Sequence, residues 1–182
     1  YTLRVTAERD RARLEAAKAA QVSQFLVDLF ETANPDASLG ELVTARALLD
    51  QGVLRVEDLA GQPAIQAAMQ DVMGTAYRGL GLYDQARPLL EQAYATRLSL
   101  HGPDHPDTLQ SLDRRGDLMV DQGEYAAAEA LFRAGLATAR ARHGEAHRTT
   151  AIMLHGLALT LQQQARYDEA ETLYREALAI QE

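Results

Sequence analysis

The segment Gly81-Leu82-Tyr83-Asp84-Gln85-Ala86 returns as Gly123-Glu124-Tyr125-Ala126-Ala127-Ala128, and again as Ala165-Arg166-Tyr167-Asp168-Glu169-Ala170. The interval is 42 residues both times, with nothing inserted or lost. Such a period confines a chain to a stack of similar units, because one unit cannot bury its own apolar face and needs a neighbour. Other positions keep the interval. Gly74, Gly116 and Ala158 correspond, as do Ala86, Ala128 and Ala170, then Leu90, Phe132 and Tyr174, then Ala93, Gly135 and Ala177. His101-Gly102 recurs as His143-Gly144, and His105 as His147. The pattern implies an all-α chain with two antiparallel helices per unit. Small residues are expected where one helix approaches the next, and bulky apolar residues in the layer between units. The tyrosine is expected at the turn, its ring packed and its hydroxyl wet.

The helices are expected over 64–80 and 84–99, 106–122 and 126–141, and 148–164 and 168–181, giving repeats 62–103, 104–145 and 146–182. The front of the chain lacks the tyrosine and alanine marks. Residues 1–31 read as one long helix, running over 3–31. Its second half carries Val22, Phe25, Leu26, Leu29 and Phe30 at the spacing of a packed face. Its first half is charged and basic, with pairs such as Arg4–Glu8 and Arg11–Glu15, and fits a solvated lead-in, the end of a coiled coil or a juxtamembrane segment. Asn34-Pro35-Asp36 breaks the helix. Within 32–61, Thr44 is placed to cap a helix over 45–60, with Ala45, Leu48, Leu49, Val53 and Val56 facing inward. These elements are expected to cap the first repeat.

The 182 residues carry a formal net charge of −8, which argues against nucleic acid as the main partner. No cysteine is present, which removes disulfides, zinc–thiolate sites and a thiol nucleophile. No apolar run reaches the ~18 residues of a membrane span. The start at Tyr1 and the apolar Leu178-Ala179-Ile180 at the other end suggest a soluble piece of a longer protein with further repeats.

The repeated residues resemble the tetratricopeptide repeat (TPR), and the spacing resembles its kinesin-light-chain type. His101-Gly102-Pro103-Asp104-His105-Pro106-Asp107-Thr108-Leu109 is similar to that type's inter-repeat loop. The resemblance covers 64–182 and implies a right-handed α-solenoid, a TPR superhelix whose first helices line a concave, peptide-binding face. Two departures stand out. That type usually has two asparagines in the first helix, where this chain has Asp113-Arg114 and His155-Gly156. Arg115 stands where an apolar core residue is expected, so the second repeat is looser or pairs it with a neighbour. A second resemblance covers most of 8–100. Gln21 to Glu31, Val43 to Gly52 and Gly79 to Tyr83 look like the segment joining kinase and TPR parts in bacterial eukaryotic-like serine/threonine protein kinases. That implies a membrane-tethered signalling parent, with the side of the membrane open. None of the kinase's own motifs is present, so no catalytic residue is carried over.

No enzymatic chemistry is expected of this chain. Gly79 and Gly81 follow no strand and lack a third glycine, so they read as turn glycines. His101/His105 and His143/His147 are interrupted by Gly and Pro, so they read as loop residues and not metal ligands. The serines have no His/Asp partners, and Glu169/Glu171 sit at a helix start where they complement its dipole. No cofactor is implied. What remains is a surface. The 42-residue register assigns to the groove Asp71, Thr75 and Arg78, then Asp113, Arg114, Asp117, Val120 and Asp121, then Ile152, His155, Leu159, Gln162 and Gln163. Asp113, Asp117 and Asp121 share one helix face. They form either a solvated face or an acidic wall for a basic peptide. The expected function is a scaffolding module that binds a protein or peptide; self-association through the lead helix or the repeat ends is the alternative.

Overall fold

The computed structural model describes residues 16–17, 19–25, 27–28, 44–59 and 61–180. Among them every regular element is helical. Contacts divide the chain into residues 1–69 and 70–182.

In the first unit, residues 19–25 are helical, with Val22 and Phe25 half-buried. Residues 1–15 and Lys18, together with Leu26, Leu29, Phe30 and the Asn34-Pro35-Asp36 break, lie outside the described residues. Helix α1 is Ala45–Glu57. Thr44 caps it as expected: extended backbone lets its hydroxyl accept the Ala47 N–H at 3.1 Å. Gly52 and Val56 are its buried residues, and Leu48, Leu49 and Val53 are half-buried. Ala45 is exposed, contrary to expectation, as the first residue of the helix. Helix α2, Pro63–Gly79, begins on a proline, whose missing N–H has no partner to lose there.

Beyond α2 the chain alternates in helical hairpins. Helix α3 is Tyr83–His101, α4 Pro106–Asp121, α5 Tyr125–His143, α6 Arg148–Gln163 and α7 Tyr167–Ala179. The tyrosines open the second helices and do not lie in the turns. Tyr83 and Tyr125 are half-buried and Tyr167 is 64% exposed.

The turns repeat atom for atom. The N–H groups of Leu82, Glu124 and Arg166 reach back to the carbonyls of Tyr77, Met119 and Leu161 at 2.9, 2.8 and 2.9 Å. Those of Gly81, Gly123 and Ala165 bond Arg78, Val120 and Gln162 at 2.9, 3.0 and 3.0 Å. This pair of bonds satisfies the last helical carbonyls and requires left-handed backbone at the middle residue, with φ of 72°, 77° and 61°. The loops between hairpins repeat as well. His105 and His147 stand before α4 and α6, and their Nδ1 atoms accept the N–H groups of Asp107 and Thr149 at 3.2 and 3.1 Å.

Phe132 is the centre of the core and is fully buried among Leu109, Leu136, Met153, Leu154 and Leu157. Burying a ring of this size stabilises by roughly 1.5–3 kcal/mol. The small residues serve it. A Cβ added at Gly74 would lie 2.7 Å from Leu90, while at Gly116 or Gly156 it would overlap the Phe132 ring. At Gly74 the neighbouring backbone also comes close, with the Ala86 carbonyl 3.3 Å from such a Cβ, while at Gly116 the tight contact is with the Phe132 side chain.

Candidate functional site

A polar concavity in residues 70–182 is lined by Arg78 of α2, Asp113, Asp117 and Asp121 of α4, and Ala151, Ile152, His155 and Leu159 of α6. Three helices contribute because each hairpin begins with a helix on the same side of the stack. The spacing of the three aspartates, one helical turn each, sets them on one line. Facing them, Ile152, His155 and Leu159 follow the same logic on α6.

The wall is not purely acidic. Arg78 bonds Asp117 at 2.5 Å and reaches Asp121 at 3.4 Å. Among the described residues no cation makes such a contact with Asp113. Its carboxyl is pushed up to about 7, by burial first and by Asp117 second, with Arg114 and Arg78 opposing. His155 is exposed, and its ring meets Tyr174 edge-on at 5.6 Å.

Several residues assigned to the groove lie elsewhere. Asp71 is 0% exposed. It pairs with Arg97 of α3, with Arg114 of α4 at 3.3 Å, and accepts from the Ser111 hydroxyl at 3.1 Å. Burial raises its pKa, and the two guanidiniums and Ser111 oppose that. Arg114 is consequently turned to Asp71 as well as the surface. Val120 is 7% exposed and belongs to the core around Phe132, one helical turn beyond the buried Gly116. Gln162 is exposed, accepts the Tyr174 hydroxyl at 3.0 Å and borders a shallow apolar patch with Tyr167, Ala170, Tyr174 and Leu178. Thr75 and Gln163 are exposed but outside the cavity lining. Arg115 lies 4.6 Å over the Tyr94 ring, which resolves its place at a core position through a cation–π contact.

Among the described residues, those that could hold a metal are His101, His105 and Asp107, whose ligand atoms lie within 4.8 Å of one another. The two imidazoles stack at 4.4 Å with planes 26° apart. Stacked rings direct their lone pairs side by side, whereas a shared zinc needs them to converge at ~2.0–2.1 Å. The second loop stacks His143 on His147 at 4.6 Å with Thr149 in place of Asp107, and His143 Nε2 meets the Asp104 carbonyl at 2.6 Å. The shared geometry is that of loop closure and helix capping. No described helix is long and apolar enough to cross a membrane.

Comparisons with known proteins agree on the fold. The tetratricopeptide repeat family model matches residues 65–141 and 119–182. A kinesin-light-chain-like protein of Podosopora anserina with nearly identical TPR-like repeats is similar over 74% of this chain and 64% of its own, at 25% identity and a TM-score of 0.62. The chain therefore spans less than two thirds of that protein's length. BtubC (BKLC) from P. vanneervenii is similar over 92% of this chain and 66% of its own, at 18% identity and TM-score 0.63. MamA MSR-1 C2 is similar over 92% and 91%, at 19% identity and TM-score 0.51. No curated protein matches the chain. The helix pairs, their turns and the family model coincide over the same stretch, and the chain belongs to the tetratricopeptide repeat family.

Proposed function

We propose that this chain is a non-catalytic interaction module that holds a segment of a partner protein in the cavity between α2, α4 and α6. The observation that carries it is the pairing of surfaces in one place. Asp113, Asp117 and Asp121 stand opposite Ile152 and Leu159, and Arg78 answers only two of the three carboxylates. A segment with basic and aliphatic residues complements that lining. In this reading residues 1–31 and 32–61 cap repeats 62–103, 104–145 and 146–182. The resemblance of the front part to bacterial kinase linkers supports a regulatory place beside a serine/threonine kinase domain.

A peptide array tests the reading. Wild type is expected to retain a set of basic peptides, with binding that weakens as salt rises. Asp113→Lys/Asp117→Lys is expected to lose that set. An unchanged set would refute the cavity as the binding surface.

A second reading, self-association, is favoured by the shallow apolar patch at α7, where Tyr167 is 64% and Leu178 59% exposed. Light scattering decides it: Leu178→Asp halves the mass only if that patch is a contact between copies.

A further inference from the structure

Asp71 and Asp113 occupy the same position of successive hairpins, 42 residues apart. Their surroundings are opposite. Asp71 is enclosed by Arg97, Arg114 and Ser111. One interval later those three positions hold Ala139, Gly156 and Met153. Asp113 keeps the carboxylate and loses the cage.

The packing explains the loss. Leu90 of the first hairpin becomes Phe132 in the second, and its ring fills the space where a Cβ at residue 156 would stand. Only glycine fits there, so no guanidinium can come from that position as one comes from Arg114 to Asp71. The remaining cations are engaged elsewhere. Arg78 is held by Asp117 and Asp121, and Arg114 by Asp71. Asp113 is left in a concavity open to a partner, beside the aliphatic Ile152 and Leu159.

We propose that the Asp113 carboxylate receives one arginine guanidinium from a partner segment, completing in the second hairpin the ion cage that Arg97 and Arg114 complete in the first. The inference rests on the cavity being the partner groove. Arginine is favoured over lysine because both cations on Asp71 are guanidiniums, whose planar fork suits a carboxylate. Ile152 and Leu159 take the methylene stem and an aliphatic neighbour.

Capture favours the ionised carboxyl. Since Asp113 is pushed up to about 7, binding at neutral pH releases a proton and tightens as pH rises. The charged and titratable groups facing Asp113 are Asp117 and Arg114 on α4, Arg78 on α2 and His155 on α6.

The test is an NMR titration of the whole chain with acetyl-Ala-Leu-Arg-Leu-Ala-amide and its citrulline counterpart, which has the same shape without the charge. The arginine peptide is expected to bind about tenfold tighter at pH 8, shifting amides of 113 and 152–159, and to weaken severalfold at pH 6. Asp113→Asn, nearly isosteric, is expected to erase the preference between the two peptides. Equal affinities, or a preference that survives Asp113→Asn, would overturn the guanidinium receptor while leaving the groove intact. Cavity amides that respond to neither peptide, together with a blank array, would remove the groove and the receptor with it.

Discussion

Asp113 stabilises the folded chain only while it carries its proton. Its folded pKa, about 7, lies above the ordinary value of 3.8. The native state therefore binds the proton more tightly than the unfolded chain, and stability from this group is full below about pH 4 and is lost as pH rises toward 7. Urea unfolding of Asp113→Asn should show a gain on the order of 1–2 kcal/mol at pH 8 that fades to nothing near pH 4. Burial raises Asp71 as well, but here two guanidiniums and the Ser111 hydroxyl hold the carboxylate in place. Asp71→Ala strands two guanidiniums and should cost about 3 kcal/mol in the same assay. Gly156→Ala drives a methyl into the Phe132 ring and should cost roughly 1–3 kcal/mol, with Phe132→Leu in the same chain returning much of the loss. The register placed Asp71 and Asp113 together because it compares positions within a hairpin. It is blind to what the next hairpin presents, and that decides which aspartate is sealed and which is open. Gly156 had been noted only as a missing asparagine; its match with the larger Phe132 is the signal that could have revealed its role.

Among elements, the turns carry the clearest asymmetry. Two of the three left-handed positions are glycine and the third is Ala165, at φ 61°. A Cβ in that conformation costs about 1–2 kcal/mol. Ala165→Gly should raise stability by about 1 kcal/mol, and Gly123→Ala should lower it by a similar amount, in thermal or urea unfolding. Helix identity and order were legible because proline, glycine and the tyrosine mark most of the ends. Limits moved by one to three residues. Helices α3 and α5 extend to His101 and His143 before the loop glycines, and α1 stops at Glu57. Capping by His105 and His147 was not legible, since an imidazole accepting a backbone N–H leaves no trace in residue spacing.

For residues 70–182 as a whole, stability is a chain of neighbour contacts rather than one shared core. Hydrogen exchange should show it: Gly156→Ala is expected to lower amide protection most in α5 and α6, which meet at Phe132, and least in α3. The surface ion pairs that link successive hairpins, Arg87 with Glu124 at 2.5 Å and Arg166 with Glu129 at 2.9 Å, add little individually and fix register collectively.

The hairpins look interchangeable by period, yet they are not building blocks that can be shuffled. A gene encoding tandem copies of residues 104–145 would set the Arg114 of each copy against the Phe132 of the copy before it, where the natural order presents Gly156. The second hairpin tolerates only a successor whose backbone leaves space for the Phe132 ring.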